Sequence, residues 1–271
     1  MQVVKANGEK EQFSSDKLHA SIHRAGIPHD LQATVVEHVQ SKLYDSIPTS
    51  EIYHHIVEFL GESSKPYSKA KYNLKQAIMD LGPTGYPFED YVAKILEKEG
   101  YSTQVRQILQ GKCISHEIDV IAEKDGKKLM VEAKFHNGLG IKTDVHVSMY
   151  TKARFDDIKE KNGFSDVLLI TNTKMTLDAI SYAQCVGMQV ISWSYPESEA
   201  LRDLVDKYHL FPVTAITILS QLQKQQLLDQ GTVLCSQICH DHTILDKIDL
   251  PQEKKDAIFR EVEFVCDMEV K

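Results

Sequence analysis

Residues 116–135 read HEIDVIAEKDGKKLMVEAKF and contain two apolar strands joined by a short turn. Asp125-Gly126 is typical of a two-residue hairpin turn, because both positions need a positive φ angle. This turn places Asp119 opposite Glu132 on one face, with their Cβ atoms about 5 Å apart. Lys134 shares that face, since side chains two positions apart on a strand point the same way. The sequence therefore predicts two acids and a base close together on one hairpin.

Two like charges on facing positions destabilise a hairpin unless a cation lies between them. Carboxylate oxygens, water and a phosphate oxygen are ligands that suit Mg²⁺. We therefore expect Asp119 and Glu132 to hold Mg²⁺ or Mn²⁺, and Lys134 to orient a water or to stabilise charge that develops on a phosphate. The simpler alternative is a solvated surface hairpin whose Glu117, Glu132 and Lys134 form ordinary ion pairs, because Glu-x-Lys alone is a common triplet.

A helix precedes this hairpin in the sequence FEDYVAKILEKEG, residues 88–100. Its apolar positions form one stripe that should pack on a sheet: Phe88, Tyr91, Val92, Ile95 and Leu96. Glu89 lies at the edge of this stripe, one helical turn before Val92. A carboxylate at that position points either to solvent or into a site beside the sheet.

The surrounding segment alternates strands with helices. STQVRQIL comes before the hairpin, and DVLLIT and MQVISWS come after it, with helices expected at roughly 143–160 and 176–186. A strand–helix–strand order predicts a parallel crossover within one sheet. Together with the antiparallel hairpin, this pattern predicts an α/β domain with a mixed sheet.

The middle segment, residues 84–195, resembles the PD-(D/E)XK nuclease superfamily and, more narrowly, the Mrr-type restriction endonucleases. The resemblance runs through GYPFEDYVAKILEKEGY, EIDVIA, VEAK and SDVLLITNTKMTLDAISYAQCVGMQVISW. It implies a restriction-endonuclease-like fold and Mg²⁺-dependent cleavage of phosphodiester bonds in DNA. It also implies that Asp119 and Glu132 bind the metal, that Lys134 is the catalytic lysine, and that Glu89 is a supporting acid. Many Mrr-type sequences carry Gln at the position of Glu132.

The N-terminal segment combines a short hairpin around Asn7-Gly8 with about four helices. It resembles the ATP-cone, a regulatory nucleotide-binding module, through Lys5, Gly8, Phe13 and Lys17 and through PTSEIYHHIVEFL and AKYNLKQAI. The resemblance implies ATP or dATP as a regulatory ligand, with Lys5, Asn7 and Lys17 in the binding site. Lysines at these two positions would meet a triphosphate as point charges. Ala6 and Lys75 stand where the family often has arginine.

The last segment reads as helical throughout, so the predicted domains are 1–82, 83–200 and 201–271. It contains the pattern C-x3-C-H-x-H from Cys235 to His242. This pattern lacks the paired spacing of closed zinc sites, and Cys235 and Cys239 are spaced like two buried residues on one helix face. We therefore interpret them as core cysteines, with zinc ligation as the alternative.

Composition narrows the class of protein. The chain has 271 residues and a net charge of −8, and the three segments carry 9, 14 and 8 basic residues against 10, 17 and 12 acidic ones. This balance disfavours a protein that binds nucleic acid mainly by neutralising phosphates. No apolar run is long enough to cross a membrane, the start lacks the apolar core of a signal peptide, and five scattered cysteines suggest no disulfide framework. We expect a cytoplasmic protein.

Two other functions fit the same segments. One is a nucleic-acid-binding protein that keeps a nuclease fold without cutting, and the other is a nucleotide-sensing regulatory protein that uses the α/β domain as a scaffold. The set of Asp119, Glu132 and Lys134 favours the nuclease over both. Double-strand cleavage with one site per chain would in addition favour a homo-oligomer.

Overall fold

The computed structural model describes residues 1–5, 8–24, 27–63, 68–138 and 140–266. The strands are β1 Gln2–Val4, β2 Lys10–Gln12, β3 Ile47–Pro48, β4 Ser102–Gln110, β5 Ser115–Lys124, β6 Lys127–Lys134, β7 Lys142–Thr143, β8 Asp166–Thr171, β9 Lys174–Met175 and β10 Gln189–Ile191. The helices are α1 Ser15–Arg24, α2 His29–Ser41, α3 Thr49–Glu62, α4 Ser68–Tyr72, α5 Leu74–Met79, α6 Tyr86–Lys98, α7 Val145–Asn162, α8 Leu177–Cys185, α9 Leu201–Tyr208, α10 Gln221–Asp229, α11 Cys235–His240 and α12 Gln252–Val265. Short 3-10 helices cover Val213–Ala215 and His242–Lys247.

The chain divides into two compact units. One consists of Met1–Ala77, Phe211–Leu227 and Cys235–Lys271, and the other of Ile78–Leu210 and Leu228–Leu234. Most of the predicted third segment thus belongs to the same compact unit as the N-terminal segment. The division of the chain into three domains, 1–82, 83–200 and 201–271, stays a prediction.

The second unit is built on a five-stranded mixed sheet with the strand order β10-β8-β6-β5-β4. Strands β4, β5 and β6 pair antiparallel, whereas β6 pairs parallel with β8, and β8 pairs parallel with β10. The predicted crossovers are confirmed, because α7 lies between β6 and β8 in the chain and α8 between β8 and β10. The α/β class and the mixed sheet are therefore as the sequence predicts.

The hairpin of β5 and β6 forms as its turn residues predict. Asp125 and Gly126 have φ angles of 51° and 74°. Cα partners run from Lys124 and Lys127 at the turn to Val120 and Val131. This register sends Met130 to one face of the sheet and Val131 to the other.

Helices cover both faces of this sheet. On the face of Met130, the side chains of α7 and α8 complete a core of buried residues: Ile118, Ile121, Met130, Val147, Phe155, Ile158, Phe164, Val167, Leu169, Met175, Ala179, Ala183, Met188 and Val190. On the other face, α6 contacts β4, β5 and β6 and buries the predicted stripe. Phe88 of α6 packs against Phe135 with ring centroids 5.5 Å apart. The buried hydroxyl of Tyr91 donates to the carbonyl of Leu210 at 2.7 Å.

The first unit begins with the predicted hairpin, in which β1 pairs antiparallel with β2. The two-residue strand β3 pairs parallel with β1, a contact that the sequence did not predict. Ser14 begins α1 by accepting a hydrogen bond from the backbone N–H of Lys17 at 3.3 Å. The core of this part joins α1, α2 and α3 through buried aliphatic residues: Leu18, Ile22, Ile27, Val35, Val36, Val39, Ile56 and Leu60.

The C-terminal part is helical, as predicted. The carboxylate of Glu261 on α12 is buried and accepts hydrogen bonds from the backbone N–H and the hydroxyl of Thr217, at 2.8 and 2.7 Å. Cys235 is also buried, and its thiol donates to the carbonyl of Pro212. This location agrees with a core cysteine. None of the five cysteines, all of which lie among the described residues, forms a disulfide. Among the described residues, no helix is long and apolar enough to cross a membrane.

Candidate active site

The hydrogen-bond ladder between β5 and β6 ends where the predicted site begins. Its last pair is Val120 and Val131, and the next position on β5 is Asp119. At this position the side chain of Asp119, rather than its backbone, bonds to β6. Its Oδ2 accepts a hydrogen bond from the N–H of Ala133 at 2.7 Å. The carboxylate is therefore fixed between the two strands, beside Glu132.

The neighbouring strand β4 is also irregular at this level. Val105 pairs with Val120 and Gln107 pairs with Ile118, so Arg106 lies opposite Asp119. Arg106 has a φ angle of 52°, an unusual backbone conformation for a residue other than glycine. Its guanidinium reaches α6, where Nη1 lies 3.3 Å from Oε2 of Glu89 and Nη2 lies 2.8 Å from Oδ1 of Asp90.

Glu89, Asp119 and Glu132 lie near enough to repel one another. Burial, and next the negative charge of Asp119, raise the pKa of Glu89 to about 7. The same two causes, in the same order, raise the pKa of Glu132 to about 7. Burial also raises the pKa of Asp119. The positive charges of Arg154 on α7 and then of Lys134 at the end of β6 act in the opposite direction on Asp119 and Glu132, but the pKa of each acid stays raised. The structure thus brings together the four residues that the sequence singles out.

Glu132 has a partner that the sequence did not predict. Arg154 of α7 is only 8% exposed, and its guanidinium donates to Oε2 of Glu132 and to the backbone carbonyl of Glu117. The ion pair of Glu132 is therefore with Arg154 and is buried, whereas the surface-hairpin alternative expected a solvated pair with Lys134. A signal was present, because Arg154 shares a buried helix face with Val147, Thr151 and Ile158 at helical spacing.

Part of this cluster opens into a cleft of about 360 Å³, which is lined by Tyr86, Glu89, Ile114, Ser115, His116, Glu117, Asp119, Tyr150 and Arg154. The described residues that line the cleft do not include Glu132 or Lys134. Glu132, with a side chain 12% exposed, is connected with the cleft through its bond to Arg154. A substrate in the cleft would therefore meet Glu89, Asp119 and Arg154 first.

His116 forms a second polar group on the wall of the cleft. Its Nε2 lies 2.9 Å from Oδ2 of Asp157 on α7. Asp157 also accepts from the backbone N–H groups of Cys113 and Ile114, at 2.8 and 3.3 Å. The hydrogen bond from His116, followed by those of the two amides, holds the pKa of Asp157 well below its usual range. Asp157 therefore ties the loop between β4 and β5 to α7, a contact that the sequence did not predict.

The segment after Lys134 is held by Asn172, which is buried. Its side chain donates to the carbonyl of His136 at 2.7 Å and accepts from the N–H of His136 at 2.9 Å. The His136 ring lies 3.2 Å from the hydroxyl of Thr143, which in turn lies 2.9 Å from that of Thr171. These contacts fix the chain directly after the predicted catalytic lysine.

The donor set fits a hard divalent cation. The oxygens of Asp119 and Glu132 carry charges that repel each other, and a cation between them would relieve this repulsion. Within the described residues, no group of three or more His, Cys, Asp or Glu side chains is arranged as a metal site. A cation held by two carboxylates would therefore complete its coordination with water and substrate oxygens, as Mg²⁺ commonly does.

The predicted nucleotide-binding lysines meet on one acid. Nζ of Lys5 and Nζ of Lys17 each lie 2.9 Å from a carboxylate oxygen of Glu11, and Lys5 lies 3.6 Å from Glu9. Asn7, the third predicted contact, lies outside the described residues. The structure thus brings Lys5 and Lys17 together around Glu11.

Three family models match the chain in separate segments. A model described as restriction endonuclease, of the Mrr catalytic type, matches residues 83–197, and an ATP cone domain model matches residues 1–75. A model described as AF1548-like, C-terminal, matches residues 211–266. The first two agree with the resemblances found in the sequence, and the third covers the helical C-terminal part.

Individual relatives agree with these models. An uncharacterized protein of Archaeoglobus fulgidus is 41% identical over 147 residues, which are 54% of this chain and 83% of the relative. The crystal structure of a protein of unknown function, AF1548, matches with a TM-score of 0.60 and 35% identity, over 69% of this chain and all of that one. The chain therefore belongs to the AF1548-like proteins and carries an Mrr-type restriction endonuclease domain after an ATP cone domain.

Proposed function

We propose that this protein is a metal-dependent endonuclease that hydrolyses phosphodiester bonds in DNA. The observation that carries the proposal is the convergence of Glu89, Asp119 and Glu132 with Lys134 at the open end of one hairpin. Buried carboxylates that repel one another destabilise a fold, so their presence in one place favours a site for a ligand of opposite charge.

Asp119 and Glu132 would hold Mg²⁺ or Mn²⁺. When bound, such a cation polarises the phosphate and lowers the pKa of a bound water. In the hydrolysis, a water oxygen bonds to phosphorus while the bond from phosphorus to the leaving oxygen breaks. One water proton is released, and the leaving oxygen takes up a proton. Lys134 would orient the water and stabilise the negative charge that develops on the phosphate oxygens.

Arg154 and Glu89 have supporting roles in this scheme. Arg154 lines the cleft and already binds an oxygen of Glu132, so it would balance the charge of that carboxylate before substrate arrives. Glu89, held by Arg106 in the first turn of α6, is the third acid of the site. The guanidinium of Arg154 is also well suited to contact a phosphate in the cleft.

The ATP cone domain would make cleavage respond to nucleotide. We propose ATP or dATP as the ligand, with Lys5 and Lys17 at the phosphates. The support is the cone match over residues 1–75 and the convergence of both lysines on Glu11. Calorimetric titration of the full chain with each nucleotide tests this part. If neither binds, nucleotide regulation is removed from the proposal and the nuclease proposal stands on its own.

A non-cleaving DNA-binding protein is the second candidate, favoured by the arginine already bound to Glu132. A cleavage assay separates the two. Labelled linear and circular DNA, single- and double-stranded, would be incubated with Mg²⁺ or Mn²⁺, with and without ATP. We expect the wild type to cut, and Glu132→Ala to lose at least about 100-fold in rate, because removal of one group that stabilises charge in the transition state commonly costs this much. The matched control is Glu123→Ala on the same hairpin, where Glu123 forms an exposed ion pair with Lys128 at 3.7 Å. Binding without cleavage in every condition would favour the second candidate.

A further inference from the structure

Two exposed tyrosines stand at the cleft. Tyr86, the first residue of α6, is 55% exposed, and Tyr150 on α7 is 62% exposed. Both line the cleft that contains Glu89 and Asp119. Single exposed aromatic residues are ordinary on a protein surface. Two of them in one cleft beside a carboxylate cluster indicate a surface that binds flat, apolar groups.

An arginine of the site lies against each tyrosine ring. The guanidinium carbon of Arg106 lies 5.7 Å from the ring centroid of Tyr86, and that of Arg154 lies 5.5 Å from the ring centroid of Tyr150. Both distances are within the range of a cation–π interaction. The same guanidinium groups bind Glu89 and Glu132. Each ring is therefore linked to one of the carboxylates, so that a group stacked on a ring has a defined position relative to the acids.

The charge of the chain favours stacking over phosphate neutralisation as the source of affinity for nucleic acid. The net charge is −8, and residues 84–200 carry 14 basic against 17 acidic residues. A protein that binds a duplex through its phosphates needs a basic surface, which this balance does not supply. Proteins that bind single strands gain much of their affinity from bases stacked on aromatic side chains, with cation–π contributions from arginine.

The depth of the acids leads to the same conclusion. The side chain of Glu89, which lines the cleft, is 12% exposed, so a phosphate must enter the cleft to reach it. The volume of about 360 Å³ is at the small end of ligand sites, which suits a short stretch of nucleotides. A base in a duplex has to leave its partner and its stack before it can enter such a site, whereas an unpaired base does not.

We propose that the substrate is single-stranded DNA, and that bases flanking the target phosphate stack on Tyr86 and Tyr150. This inference rests on the proposed nuclease function and adds the substrate class to it. Ile114, which is 61% exposed in the loop between β4 and β5, lines the same cleft and provides a further apolar contact for a base.

Binding and cleavage by the full chain test the inference in two separate arms. Fluorescence anisotropy with a labelled 20-nucleotide single strand and its matched duplex, in EDTA, measures binding without cleavage. We expect the single strand to bind at least about 10-fold tighter than the duplex. Tyr86→Leu and Tyr150→Leu should each weaken single-strand binding by about 5- to 150-fold, the range that corresponds to one stacked base. Tyr86→Phe and Tyr150→Phe keep the rings and should bind within about 3-fold of the wild type.

Tyr44→Leu is the control, because Tyr44 is 49% exposed and lies outside the cleft. Thermal unfolding shows whether each variant is folded. The cleavage arm compares single strand, duplex and single-stranded RNA with Mg²⁺. If a duplex or an RNA is bound or cut to the same extent as the DNA single strand, the inference is overturned and the nuclease proposal stays intact. Leucine variants that bind the single strand like the wild type have the same consequence. Single-strand binding that depends on both tyrosines, without cleavage of any nucleic acid, overturns the nuclease proposal instead.

Discussion

At the scale of single residues, the Glu132–Arg154 pair shows how the cluster tolerates its own repulsion. Both side chains are almost fully buried, and Glu132 also lies in the field of Asp119. A buried carboxylate without a partner is unfavourable, whereas a paired one with further hydrogen bonds is accommodated. Arg154 thus makes it possible for the acids to remain in the fold before any cation or substrate binds.

Loss of Arg154 should destabilise the protein through the acid that remains. We expect Arg154→Met to lower the free energy of unfolding by about 3 kcal/mol, because it leaves Glu132 buried and unpaired. In the Glu132→Gln background the same change should have a smaller effect, since no charge is then stranded. Urea unfolding of the four proteins in this double-mutant cycle measures the coupling. Strictly additive effects would mean that the pair contributes nothing.

In the ATP cone domain, Glu11 balances charge as Arg154 does in the endonuclease domain. It pairs with both Lys5 and Lys17, so a triphosphate that binds these lysines would compete with it. We expect Glu11→Gln to bind ATP about 2- to 5-fold tighter than the wild type, because one competing charge is removed. Calorimetry measures the dissociation constant, with Glu9→Gln as the control because Glu9 lies farther from Lys5, at 3.6 Å. Weaker binding by Glu11→Gln would show that Glu11 assists the nucleotide.

At the scale of the elements, the hairpin of β5 and β6 could be predicted because its determinants are local. Asp125-Gly126 fixes the turn, and alternation fixes the two faces. The helices and the parallel crossovers followed from apolar patterns of the same short range. Arg154 was missed because a charged residue on a helix is ordinarily assigned to the solvent side, although its spacing with Val147 and Ile158 places it on the buried side of α7. The strand β3 was missed because two residues give no pattern, and only a distant contact with β1 makes them a strand.

The loop between β4 and β5 depends on one carboxylate of α7. Asp157 binds His116 and two backbone amides of the loop. The loop has no room for a larger residue at Gly111, because an added Cβ would clash with Oδ2 of Asp157. We expect this connection to hold Ile114 and His116 at the wall of the cleft.

The stability that Asp157 provides should depend on pH. Its pKa is lower in the folded protein than in the unfolded chain, so its contribution is complete above the unfolded value of about 4. It is lost as the pH falls below that value toward the folded pKa. Urea midpoints of wild type and Asp157→Asn should therefore differ most above about pH 5 and converge toward about pH 2. A difference that stays constant over this range would argue against the ionised carboxylate as the cause.

At the scale of the whole molecule, the compact units do not follow the order of the chain. The unit that contains the ATP cone segment also includes Phe211–Leu227 and Cys235–Lys271. In the sequence, the endonuclease segment separates these two ranges from the ATP cone segment. Sequence patterns do not predict such an arrangement, because it depends on contacts between residues that are far apart in the chain. The acidic balance is likewise a property of the whole, and it directs the search for substrates away from duplexes held by charge alone.

The central claim is that Asp119, Glu132 and Lys134 form one metal-dependent cleavage site. Single-turnover cleavage of a labelled single-stranded oligonucleotide, measured over a Mg²⁺ titration, tests it most directly. We expect a rate that is zero in EDTA, saturates with Mg²⁺, and falls at least about 100-fold in Lys134→Met, while Lys128→Met on the same strand stays close to the wild type. Cleavage that persists in EDTA, or a Lys134→Met protein that cuts at the wild-type rate, would contradict it.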